Sequence, residues 1–156
     1  MKALVIYDSV FGNTEKIARA IGAALGTPDD VPVLQVGSVT PAQLEGLDVL
    51  FVGSPTRGFK PTPAISAFLA ALPAEALKGV KSAAFDTRIP LETIKNGFFR
   101  WIVKQGGYAD KLIDKALTAR GASLPILSGG FIVLASEGPL QEGELERAAA
   151  WAKTIL

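Results

Sequence analysis

Short apolar runs punctuate this chain, and stretches with helical spacing separate them. The runs are Lys2–Tyr7, Val31–Val36, Asp48–Gly53, Lys81–Asp86 and a fifth within Leu124–Ala135. Val49-Leu50-Phe51-Val52 is the clearest. A strand apolar on successive residues has no face for water and must be covered on both sides. Helices between strands supply that cover, and crossovers of this length make neighbouring strands parallel. The pattern predicts an α/β fold, a doubly wound five-stranded parallel sheet with helices on both faces.

The helical stretches carry their own boundary signals. Thr14–Leu25 places Ile17, Ile21 and Leu25 on one face, and Gly26 and Pro28 stop it. Pro41–Leu44 reads as a short helical turn. Thr62 is an N-cap with Pro63 at the first helical position, opening a helix to about Leu72 that buries Ile65, Phe68, Leu69 and Leu72. A helix-rich stretch covers Ile94–Arg120, broken at Gly106-Gly107 and ended by Gly121. Within it, Phe98, Phe99 and Trp101 are expected to pack the helix. Gly129-Gly130 is expected to interrupt the fifth strand. The last helix runs over roughly Glu142–Ile155 and places Trp151 in the core. With 156 residues and no repeat or linker, residues 1–156 are expected to form a single domain.

Composition limits the chemistry. The chain has neither cysteine nor histidine. Disulfides, thiolate nucleophiles, cysteine zinc sites and the usual neutral-pH general base are therefore excluded. Redox work by so plain a side-chain set is easiest through a bound cofactor. Sixteen basic and 15 acidic residues nearly cancel, and no basic run suits a nucleic-acid backbone. The apolar run Ala3–Tyr7 is too short for a secretory signal or a membrane span. The expectation is a cytoplasmic protein with no nucleic-acid partner and no membrane insertion.

In open parallel sheets, ligands sit beyond the carboxyl ends of the strands. Three segments follow strands on that edge: Asp8–Thr14, Ser54–Phe59 and Asp86-Thr87-Arg88. The first is the most informative. From Ser9 to Thr14 (Ser9, Val10, Phe11, Gly12, Asn13, Thr14) it offers two hydroxyls, a glycine and no acidic residue, and it leads straight into a helix. A helix start presents unpaired N–H groups at the positive end of the dipole, which suits a phosphate. Neither a Gly-Lys-Ser/Thr loop nor G-x-G-x-x-G is present.

Ser9-x-x-Gly12-Asn13-Thr14 resembles the phosphate loop of flavodoxins. Gly53-Ser54-Pro55-Thr56 is similar to the loop after their third strand. Gly130-Phe131 and Gly138-Pro139-Leu140 fit the end of their fold. The resemblance implies strand order 2-1-3-4-5, bound FMN and one-electron transfer to a redox partner protein or a small-molecule acceptor. It carries Ser9–Thr14 over as phosphate ligands, and Pro55, Thr56, Arg57, Gly58, Phe59, Asp86, Thr87 and Arg88 as walls around the flavin ring. Taken without the resemblance, Asp86-Thr87-Arg88 reads as a strand-end turn with a surface ion pair.

The ring-binding segments depart from the flavodoxin pattern. Arg57 stands where an aromatic residue is usual, and Asp86-Thr87-Arg88-Ile89-Pro90 offers no Tyr where the third loop usually has one. Arg57, Lys60 and Arg88 flank the ring region against Asp86 alone. Nearby cations favour a reduced, anionic flavin, so the second reduction step is expected at a less negative potential than in a typical flavodoxin. An interaction of about 1.4 kcal/mol shifts a one-electron potential by roughly 60 mV. Pro55-Thr56-Arg57 also resembles a segment of FMN-dependent NAD(P)H:quinone oxidoreductases. Three readings follow: an FMN electron carrier, such an enzyme, or a degenerate flavodoxin-like domain without flavin.

Overall fold

The computed structural model of the protein describes residues 1–90, 97, 98, 101 and 107–156. Its strands are β1 (Ala3–Tyr7), β2 (Val33–Gln35), β3 (Val49–Pro55), β4 (Lys81–Arg88) and β5 (Gly129–Ile132). Its helices are α1 (Asn13–Leu25), α2 (Pro41–Leu44), α3 (Pro63–Ala71), α4 (Ala109–Ala119) and α5 (Glu144–Lys153). The strands form one parallel sheet in the order β2-β1-β3-β4-β5.

Strand alternation explains the two-sided core. Ala3, Val5 and Tyr7 of β1 pack with Ile17, Ala18 and Ile21 of α1 and with Ala148 and Ala152 of α5. Leu4 and Ile6, pointing to the opposite face, pack with Ile65 and Leu69 of α3 and with Ile113 and Leu117 of α4. Each strand residue thus meets a helix on whichever face it leaves. Trp151 joins the first cluster, edge-on to Phe51, Phe85 and Phe131 at centroid distances of 5.4, 6.5 and 5.7 Å.

Boundaries differ from the expectation where polar residues are buried. β3 and β4 run past Gly53 and Asp86 because Ser54 pairs with Asp86 and Pro55 with Thr87. Ser54 is fully buried, its hydroxyl accepting from Thr62 N–H at 2.9 Å and donating to the Pro55 carbonyl at 2.9 Å. Thr62 caps α3 as expected, accepting from Ile65 N–H at 3.5 Å. β2 ends before Val36 because the Gln35 side chain accepts from Gly37 N–H at 2.8 Å and turns the chain into a single helical turn, Val36–Ser38; at its start, Val31 N–H turns back to the Thr27 carbonyl at 2.8 Å. Gly129 and Gly130 do not interrupt the fifth strand; they open it, paired with Phe85 and Asp86.

The aromatic run after β4 also needs correction. Phe98 and Trp101 are 71% and 58% exposed and stack on each other at 6.4 Å, so they do not pack a buried helix face. Phe99 and most of the expected helical stretch before Gly107 lie outside the described residues. Among the described residues, no helix is long and apolar enough to cross a membrane. Nor, among those residues, do three or more carboxylates gather to hold a metal.

Candidate functional site

β1 delivers the chain to the sheet edge at Tyr7, and the next five residues, 8–12, form a compact loop before α1. Asp8 N–H bonds the Gly53 carbonyl at 3.1 Å, which docks the loop on β3. The Ser9 hydroxyl accepts from Gly12 N–H at 3.1 Å and from Glu15 N–H at 3.4 Å, folding the loop over the start of α1. Gly12 has φ +91°, a left-handed conformation that a side chain would strain. Glycine also leaves the N-cap without a side-chain acceptor. Among the described residues, the N–H groups of Val10, Phe11, Asn13 and Thr14 therefore have no protein acceptor. Unpaired donors at the positive end of a 13-residue helix suit an anion.

Two buried side chains tie this loop to the rest of the sheet edge. The Thr14 hydroxyl lies 2.8 Å from that of Thr87. Asn13 Nδ2 donates to the Glu137 carbonyl at 3.1 Å, joining the loop to the segment after β5. Asn13 thus holds two loops together as well as lining the cleft between them.

The segment after β3 is a tight hairpin. Arg57 N–H bonds the Lys60 carbonyl at 2.8 Å, and Lys60 N–H returns to the Arg57 carbonyl at 3.1 Å. Gly58 and Phe59 between them have φ of +54° and +69°. That suits the glycine and strains the phenylalanine. The Arg57 guanidinium lies 5.6 Å from the centre of the exposed Phe11 ring, so the hairpin reaches across to the first loop.

The end of β4 carries a buried ionic cluster. Arg88 grips Asp86 with Nε to Oδ1 at 2.7 Å and Nη2 to Oδ2 at 2.8 Å; Nη2 also lies 3.1 Å from Asp110 Oδ2. Asp86 Oδ2 accepts from Asp110 N–H at 3.0 Å and from the Thr56 hydroxyl at 3.4 Å. Thr56 Oγ1 takes Ala109 N–H at 2.9 Å, and Ser128 donates to Asp110 at 2.6 Å. Burial pushes the Asp86 carboxyl up to about 6, against the opposing pull of the Arg88 guanidinium. The ion pair expected at the surface is buried, and it bolts β4 to the start of α4.

These segments enclose a cleft of about 540 Å³, within the range of small-molecule sites. All the residues expected at the site line it except Gly12, Phe59 and Asp86. Gly12 shapes the loop, Phe59 occupies the hairpin turn, and Asp86 lies beneath Arg88. The sequence reading missed Ile89, Val133, Ser136 and Glu137, which also line the cleft. The carboxyl-edge rule that found the other loops applies to β5 too. Placing the end of that strand at Ala135 hid the loop within it.

A scan of the sequence against known protein families matches none. Solved structures do resemble it. Flavodoxin 1 of Bacillus cereus shares 22% identity, with 99% of this chain and 97% of that one covered and a TM-score of 0.74. Flavodoxin 2 of the same organism shares 26%, with 99% and 97% covered and a TM-score of 0.71. Rubredoxin oxygen:oxidoreductase of Desulfovibrio gigas shares 19%, with 99% of this chain matching 35% of that one at a TM-score of 0.71. The strand order, the two-sided helical cover and these neighbours agree: the chain has the flavodoxin-like fold.

Proposed function

We propose that this chain binds FMN in the cleft and serves as an electron carrier between redox partners. The observation that carries the reading is the start of α1. Among the described residues, four backbone N–H groups there have no protein acceptor, where Ser9 and Thr14 line the cleft. That donor set fits a phosphate without needing a lysine. The rest of the cleft offers Arg57, Thr56 and Arg88, with the Phe11 ring beside Arg57, as ring surroundings. Bound FMN would supply reversible one-electron chemistry, and the chain would contribute binding, orientation and electrostatics.

The visible spectrum of the purified protein, before and after adding FMN, tests this. The expected result is a flavin spectrum with saturable uptake. A protein that stays colourless after incubation with FMN overturns it.

The ionic cluster narrows the electrostatic expectation. Arg88 is matched by Asp86 and Asp110, whereas Arg57 and Lys60 have no carboxylate partner among the described residues. A less negative second reduction step therefore rests on Arg57 and Lys60. Solvent screening of so exposed a cation keeps its effect below about 60 mV. Arg57→Met should lower that potential by tens of millivolts in a potentiometric titration, and added salt should shrink the difference.

Arg57 in the lining of the cleft also favours a second reading, an FMN-dependent NAD(P)H:quinone oxidoreductase. Anaerobic mixing of the FMN-loaded protein with NADH or NADPH separates the two. Rapid bleaching of the flavin marks the enzyme, and bleaching only through a partner reductase marks the carrier.

A further inference from the structure

Arg88 is held more tightly than a cleft-lining cation needs to be. A guanidinium has five N–H donors. Nε–H goes to Asp86 Oδ1, and Nη2 serves Asp86 Oδ2 and Asp110 Oδ2. The guanidinium carbon lies 4.0 Å from the centre of the Tyr108 ring. Gly130 abuts the group so closely that a Cβ there would come within 2.4 Å of the Arg88 Cζ. These contacts fix both the plane and the rotation of the group. They leave the two N–H groups of Nη1 without a partner among the described residues, on a side chain 18% exposed that lines the cleft.

Arg88 also approaches from the side opposite the phosphate-type loop. Thr87 and Arg88 are consecutive in β4, so their side chains leave opposite faces of the sheet. Thr87 turns to Thr14 and α1, and Arg88 turns to Asp110 of α4. Two carboxylates already answer its charge. What it has left to offer is directional: a pair of fixed donors.

The geometry points to Arg88 as the specificity-determining donor for the end of the ligand remote from its phosphate, reading a hydrogen-bond acceptor rather than a charge. This rests on the FMN reading and adds to it the residue that selects the ring end. Asp86 and Asp110 are positioning residues that act through Arg88. Lysine cannot replace it, because an ammonium lacks the planar fork that serves two carboxylates and still presents parallel donors.

The test compares FMN and riboflavin affinities of the wild-type protein, Arg88→Lys and the double variant Arg88→Met/Asp86→Asn. The double variant removes the cation without stranding the buried Asp86 charge. Both variants should lose FMN affinity tenfold or more and shift the visible band of bound flavin. The ratio of FMN to riboflavin affinity, which reads the phosphate end alone, should stay within about twofold. Should the double variant fail to fold, Arg88→Lys carries the same readings. FMN affinity within twofold of wild type, or a loss confined to the FMN-to-riboflavin ratio, overturns the assignment while leaving FMN binding intact. A wild-type protein that takes up no FMN overturns both.

Discussion

The two ends of the cleft are built on different physical plans. At the α1 end, the backbone does the work. Gly12 turns the loop, Ser9 folds it, and four N–H groups have no protein acceptor among the described residues. At the β4 end, side chains do it. Asp86, Arg88 and Asp110 lock together out of water, and Tyr108 and Gly130 clamp the guanidinium. A backbone site depends on conformation and tolerates changes in most side chains. A side-chain cluster depends on each member, because removing one leaves a buried charge without its partner. The first plan is written in a short motif. The second is assembled from residues 86, 88 and 110 and becomes visible once the fold brings them together.

The comparison can be broken in three places. The largest effect belongs to the ligand's phosphate. Riboflavin should bind at least about a hundredfold more weakly than FMN, since each hydrogen bond to a charged group contributes roughly 1.5–3 kcal/mol. Calorimetric or fluorescence titration measures this, and equal affinities would remove the phosphate role of the α1 end. Next comes Gly130→Ala. Its methyl group would push Arg88 off its seat, at about 1–3 kcal/mol of overpacking and a fall of several degrees in Tm. The FMN-to-riboflavin ratio should not change, which confines the damage to one end.

The smallest effect is a pH dependence. The folded-state pKa of Asp86 is raised to about 6, above its unfolded value. The folded protein therefore binds this proton more readily. Its contribution to stability grows as pH falls through 6 and is lost as pH rises through it. Between pH 7 and 5 the gain should be about 1 kcal/mol, or a few degrees in Tm. With no histidine in the chain, few other groups titrate in that window. Asp86→Asn should flatten the profile, and an unchanged slope in that variant would place the titrating group elsewhere.

Local chemistry made most of the fold legible in the sequence. The apolar runs located the strands, Thr62-Pro63 located the start of α3, and helical spacing found the buried faces of α1 and α3. The cleft-lining residues of the α1 end were legible for the same reason, because they are contiguous. Legibility failed where burial and polarity part company. Ser54, Asp86 and Thr87 have loop-like side chains, yet they complete strands because the fold supplies each with a partner. The bracing of Arg88 by Asp110, 22 positions away, follows from a crossover geometry that spacing alone does not specify. Phe98 and Trp101 show the opposite failure, apolar side chains left in solvent.

The tie between Asn13 and residue 137 divides its two partners unequally. Asn13 contributes a side-chain amide and Glu137 a backbone carbonyl. Any amino acid can provide that carbonyl, so the type of residue 137 can drift freely as far as this contact is concerned. The path length from β5 to that carbonyl cannot, because a residue added or removed before it would carry the acceptor out of reach. Across homologues, the segment between Ile132 and Gly138 should therefore vary in spelling and hold its length, while position 13 keeps a side chain able to donate.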